Sequence, residues 1–164
     1  EQRLGGLEAR EERFRLGHGV SLGYYAQEHE GIRDGESVLA HVRAESLDAS
    51  DQDLRRLLGM FGLIGPVAFQ DAGTLSGGEK TKLALAQLVA GRRNLVLLDE
   101  PTNNLDPPSR TAVAEALAGW SGSMVLVSHD VEFVRALSPH KVLMMPDGEL
   151  AFWDDELLGL VALA

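Results

Sequence analysis

Asn94-Leu95-Val96-Leu97-Leu98-Asp99-Glu100 decides how this chain folds. Residues 94–98 form a short, unbroken apolar run, the pattern of a β-strand buried on both faces. The run ends in two adjacent carboxylates. Outward from it, helix and strand patterns alternate. Residues 78–90 set Leu83, Leu85, Leu88 and Val89 on one side of a helix. Residues 107–120 read as a helix, 124–127 as a second buried strand, 131–137 as a helix and 141–145 as strand-like, and Pro146-Asp147-Gly148 turns the chain into residues 150–153. Such alternation predicts an α/β fold with a mostly parallel sheet and flanking helices. Ligands of such a sheet sit at the carboxyl ends of its strands.

The first half is less regular. Residues 20–27 (VSLGYYAQ) are rich in β-branched and aromatic residues, as in a strand. Residues 37–69 read as two short helices, with Ser37 able to cap the first and Asp51 the second. Gly59, Gly62 and Gly65-Pro66 then interrupt the periodicity.

Composition narrows the class. A chain of 164 residues with 45% hydrophobic and 24% charged residues fits one soluble globular domain. The longest apolar stretch, residues 157–164, is broken by Gly159 and is too short to span a bilayer. No secretory signal is visible, and the chain opens Glu1-Gln2-Arg3 without an initiator Met, as expected of a piece of a longer or processed product. With no cysteine, disulfides and thiolate metal sites are excluded, which fits a reducing cytoplasm. The formal net charge of −10 argues against non-specific nucleic-acid binding, though not against a local basic patch contacting RNA.

Asp99 and Glu100 would repel each other unless a cation or a proton lay between them. In a nucleotide hydrolase, Asp99 would hold Mg²⁺ through water and Glu100 would orient or activate the attacking water. A pair of acids merely facing solvent is the plain alternative. Ser76-Gly77-Gly78 precedes a helix, so its N–H groups and the positive helix end can form an anion site. Ser76-x-x-Glu79 also satisfies the capping-box pattern. Asp106 before Pro107 suits a helix N-cap with proline at the first helical position.

Together these stretches resemble the ATP-binding cassette ATPases. Leu75-Ser76-Gly77-Gly78-Glu79 is similar to that family's signature motif, and residues 94–106 to its Walker B motif and D-loop. Val127-Ser128-His129-Asp130 resembles the H-loop, and Gln27 the Q-loop glutamine. The resemblance implies a partial P-loop NTPase (ABC cassette) fold over residues 1–164, with a small helical subdomain at 37–73 and the signature, Walker B, D-loop and H-loop portion at 74–164. It implies ATP and Mg²⁺ as ligands. Glu100 and His129 would be catalytic. Gln27, Ser76, Gly77, Gly78 and Asp106 would contact ATP or communicate across a cassette dimer, and Asp99 with Gln27 would hold Mg²⁺ through water.

Pro101-Thr102-Asn103-Asn104-Leu105-Asp106 and residues 75–86 (LSGGEKTKLALA) lean toward the ABC-F translation factors. For that subfamily the implied partners are a second cassette on the same polypeptide and the ribosome, with no membrane insertion. The alternative within the family is the soluble ATPase subunit of a transporter. Asn103-Asn104 and Asp147-Gly148-Glu149-Leu150 point to the second of two cassettes. The phosphate-binding loop G-x-x-x-x-G-K-[ST] is not found in residues 1–164. Residues 73–81 come nearest, but Glu79 intrudes before Lys80 and no strand precedes them. A polypeptide of these 164 residues alone is therefore expected to hydrolyse ATP negligibly.

Overall fold

The computed structural model describes residues 15–25, 31–46 and 48–161. Three parallel strands, β1 (Leu22–Tyr25), β2 (Leu95–Asp99) and β3 (Ser123–Val127), form a sheet with β2 in the centre. Leu22 pairs with Leu95 and Leu95 with Ser123, so all three strands point the same way and end together. The fold is α/β with a parallel sheet, as the alternation predicts.

Between β1 and β2 lie α1 (Val38–Glu45), α2 (Asp51–Met60), 3-10 turns at Gly65–Phe69 and Ala72–Thr74, and α3 (Gly77–Ala90). Helix α4 (Pro107–Ala118) connects β2 to β3. After α5 (Val131–Leu137), β4 (Lys141–Met144) and β5 (Glu149–Phe152) pair as a separate antiparallel hairpin, followed by the short α6 (Leu158–Val161).

One face of the sheet carries the core. Val96 and Leu98 of β2 are buried against Leu83, Leu85 and Ala86 of α3 and Val113, Ala114 and Leu117 of α4, with Met124 and Leu126 of β3 packed at the edge of that cluster. The opposite register is different. Leu95 and Leu97 are only half-buried, and Val125 and Val127 are 53% and 57% exposed. Burial on both faces of β2 and β3 is thus not what the described residues form. An apolar run reports that a strand is hydrophobic, but period-two geometry leaves the second face to whatever packs on it, and here α3 and α4 share one face.

The same cluster continues into α1 and α2 through Val38, Val42, Leu54, Leu58, Phe61 and Leu63. Ser37 caps α1 by accepting the Ala40 N–H, as its position predicts. Helix α2 is capped by Ser50, which accepts the Asp53 N–H, and Asp51 is the first helical residue rather than the cap. The backbone turns one residue earlier than the acidic pattern indicates, and a first-turn aspartate still suits the positive helix end. His41 is fully buried. Its Nδ1 lies 2.8 Å from the Ser37 carbonyl and its Nε2 accepts the Arg33 N–H at 2.9 Å, so the ring carries its hydrogen on Nδ1 and ties residues 33–37 to α1.

Tyr25, at the end of β1, is buried and donates its hydroxyl to Thr81 Oγ1 of α3 at 3.2 Å. Burial pushes the phenol above its ordinary pKa, with the Thr81 hydrogen bond acting in the opposite direction. Removing only this hydroxyl in Tyr25→Phe is expected to cost about 1 kcal/mol, the net value of one hydrogen bond. Urea denaturation of the two proteins measures it.

Candidate functional site

The carboxyl ends of β2 and β3 bring Asp99, Glu100 and His129 together. Glu100 follows β2 directly, and its N–H donates to the Val127 carbonyl at 2.9 Å, extending the ladder by one residue. The backbone then turns sharply. Glu100 has φ +46°, in the left-handed region that a glutamate rarely enters, and such residues persist only where the surroundings enforce them. Pro101 follows and disfavours the right-handed helical region for the residue before it.

The turn aims the Glu100 side chain inward, leaving it 18% exposed. His129 Nδ1 lies 2.9 Å from Glu100 Oε2. That approach lacks hydrogen-bond geometry, and Oε2 remains a buried oxygen without a hydrogen-bond partner. An off-axis contact does little to satisfy an acceptor. A buried carboxylate oxygen left open is costly unless a proton, water or cation meets it. The site therefore has an acceptor in place for a proton donor such as water.

Asp99 closes β2 and is half-buried. Among the described residues, no hydrogen bond or ion pair reaches its carboxylate, and no group of three or more His, Asp or Glu could cage a metal. Mg²⁺ is typically held by one or two carboxylates, with phosphate oxygens and water completing its shell. A strand-end Asp99 beside an unsatisfied Glu100 oxygen fits that mode. Gln27, predicted to share the ion, lies outside the described residues.

The second group of predicted residues lies at the start of α3. Ser76 is the N-cap, accepting the Glu79 N–H, while Glu79 Oε2 accepts the Ser76 N–H at 2.9 Å and the Ser76 hydroxyl at 2.7 Å. The capping box is complete. Hydrogen bonds from Ser76, the backbone N–H first, hold the Glu79 carboxyl below the usual glutamate range. A lowered native pKa means the box stabilises α3 fully above the ordinary glutamate range and loses its contribution as acid brings the pH down through the native value. The acid-side loss is expected to disappear in Glu79→Gln, read as amide exchange in α3 across pH 3 to 6, about the range of glutamate titration.

The two glycines differ. A side chain at Gly77 would meet nothing within 4 Å, whereas a Cβ at Gly78 would lie 2.7 Å from the Asn104 carbonyl oxygen. Gly78 thus lets the start of α3 rest on the loop after β2, and Gly77 keeps an open backbone face. Asp106 caps α4 by accepting the Ser109 N–H at 3.2 Å, with Pro107 and Pro108 opening the helix. Hydrogen bonding to Ser109, and more weakly the charge of Lys82, holds its carboxyl below the usual range. Lys82 of α3 also reaches Ser109 Oγ at 3.3 Å, a second link between α3 and α4.

Known proteins are similar to this chain in sequence and in fold. The sequence profile of the family described as "ABC transporter" matches residues 9–103. The chain belongs to the ATP-binding cassette family. The "Probable ATP-binding protein YheS" of Haemophilus influenzae is 45% identical over 121 residues, 73% of this chain and 19% of that protein. A "Probable ATP-binding cassette sub-family F member 3 homolog" of Encephalitozoon cuniculi is 37% identical over 94% of this chain and 27% of its own length. Mouse "ATP-binding cassette sub-family F member 3" is 34% identical over 71% of this chain and 16% of its own. Sub-family F is the branch that Pro101–Asp106 resembles. The cassette therefore spans only 19% of the length of the YheS relatives.

Among solved structures, the dimeric structure of a bacterial ABC transporter cassette matches with a TM-score of 0.67 at 19% identity, covering 81% of this chain and 63% of that one. A dimeric cassette in a post-hydrolysis state bound to ADP and Pi matches with a TM-score of 0.65. At that identity the likeness concerns the fold. No helix among the described residues is long and apolar enough to cross a membrane.

Proposed function

We propose that this cassette binds and hydrolyses ATP as part of a tandem-cassette protein of sub-family F that acts on the ribosome. The observation that carries the hydrolytic part is the Glu100 carboxylate, turned inward by a left-handed backbone, with Oε2 buried, unsatisfied and 2.9 Å from His129. Glu100 accepts the proton of, or orients, the attacking water. His129 orders the carboxylate and the γ-phosphate. Asp99, together with Gln27 as the family resemblance implies, would hold Mg²⁺, and the ion when bound would neutralise charge on the phosphates. Ser76, Gly77 and Gly78 present backbone N–H groups to the γ-phosphate of ATP held by a second cassette, and Asp106 belongs to the loop that communicates between the two.

What supports the partner is that the similar solved cassettes are dimeric and that the relatives include sub-family F proteins. The ribosome enters through the sub-family resemblance of residues 101–106. Residues 37–73 serve as the small helical subdomain and 74–164 as the part bearing the signature, Walker B, D-loop and H-loop motifs.

The experiment uses the complete polypeptide that contains this cassette, as wild type and as Glu100→Gln. ATP turnover by the wild type and ATP-dependent co-sedimentation of the variant with ribosomes are expected. Turnover without ribosome association under any nucleotide condition would remove the ribosome and favour a transporter's ATPase subunit. No turnover would remove the hydrolytic role.

A further inference from the structure

Helix α4 carries a cation that the motifs do not include. Arg110 Nε donates to the Leu105 carbonyl at 3.0 Å, and Arg110 Nη1 donates to Asp130 Oδ2 at 3.0 Å. Leu105 is buried in the loop between β2 and α4, and its N–H is bonded to the Thr102 carbonyl. Asp130 follows His129, and its side chain is only 10% exposed. Its other oxygen, Oδ1, accepts the Phe133 N–H at 3.0 Å and so caps α5, while the Asp130 N–H donates to Ser128 Oγ at 3.1 Å. Both neighbours of His129 in the chain are thereby fixed.

One guanidinium thus holds two acceptors on different segments, one preceding Asp106 and one following His129. Its planar fork presents donors in fixed relative directions, which a lysine ammonium does not. We propose that Arg110 is a positioning residue that locks the loop of residues 102–106 to the segment carrying His129, so that a displacement of either is felt at Glu100. In the cassette this makes the loop facing a second cassette mechanically continuous with the histidine beside the reacting carboxylate, an inference whose catalytic arm rests on ATP hydrolysis as proposed above.

The test compares Arg110→Ala, Arg110→Lys and Asp130→Asn in the complete polypeptide. Asparagine is as good an N-cap as aspartate, so Asp130→Asn keeps the α5 cap and removes only the charge that Arg110 meets. Amide exchange without nucleotide is the first readout. Arg110→Ala and Asp130→Asn are each expected to speed exchange of residues 102–106 by about fivefold or more, the range of local opening equilibria, with α3 unchanged. Arg110→Lys is expected to melt like the wild type and still speed that exchange, which separates lost positioning from lost folding.

The second readout is turnover. Arg110→Ala is expected to lower kcat about tenfold with KM for ATP unchanged, as misplacement away from the chemistry does, and to add nothing in a His129→Ala background, because residues acting as a unit are non-additive. Unchanged exchange at 102–106 in Asp130→Asn overturns the coupling. Full kcat in Arg110→Ala, or a loss that adds to that of His129→Ala, overturns it as well. A wild type without turnover removes the hydrolytic reading and the catalytic arm with it, while the exchange result still decides whether Arg110 joins the two segments.

Discussion

Replacing Glu100 by glutamine in the complete polypeptide is expected to lower ATP turnover by about 10² to 10⁴-fold, the usual worth of a general base, while ATP binding persists. The substitution is nearly isosteric. It keeps Oε1 or its equivalent in the turn, but it converts the buried, unsatisfied Oε2 position into a group that cannot accept a proton from water. Folding should survive, because Glu100 contributes to the fold mainly through its backbone, by the N–H bond to Val127 and the left-handed turn before Pro101. The carboxylate also faces His129 at 2.9 Å, so His129→Ala should lower kcat too, and the double variant should fall little below Glu100→Gln alone. Single-turnover hydrolysis with measured nucleotide binding checks both statements. Equal losses in affinity and turnover would mean that Glu100 holds the nucleotide rather than activating water.

The central part of this cassette was legible because its signals are local. A strand ending in Asp99-Glu100, the capping box of Ser76 and Glu79, and the Asp106-Pro107 start of α4 each lie within a few residues, and each is found where the sequence places it. Less local features were not legible. Residues 124–127 look like a buried strand, yet Val125 and Val127 stand exposed, because hydrophobicity along one strand carries no record of what lies across the sheet. The pairing of Arg110 with Asp130 spans 20 residues and exists only because α4 and α5 pack together. Tyr25 and Thr81 are 56 residues apart, so their contact needed the β1–α3 packing to become visible. The αL turn at Glu100 has no glycine to announce it. Its one sequence signal is Pro101, which disfavours the helical alternative without naming the replacement.

The two glycines of the signature stretch should fail in opposite ways. Gly78→Ala would place a methyl 2.7 Å from the Asn104 carbonyl oxygen, an approach that neither backbone can relieve by rotating a side chain. Overpacking of this kind costs about 1–3 kcal/mol, and no gain in helix propensity offsets it in full, since alanine's advantage over glycine is only about 0.5–1 kcal/mol in a helix interior. The strain falls on the loop of residues 103–105, so stability and turnover should both decline. Gly77→Ala meets nothing within 4 Å and its φ is not in the left-handed region. Stability should hold or rise by a fraction of a kcal/mol up to about 1 kcal/mol, because alanine narrows the unfolded ensemble. If this face meets a phosphate as proposed above, a methyl there covers it, so ATP-dependent association of two cassettes should weaken while melting does not. Thermal denaturation and nucleotide-dependent dimerisation of the complete polypeptide separate the two. A destabilised Gly77→Ala would show that the open face is filled by the protein itself. A fully stable, fully active Gly78→Ala would show that the start of α3 does not need its contact with Asn104.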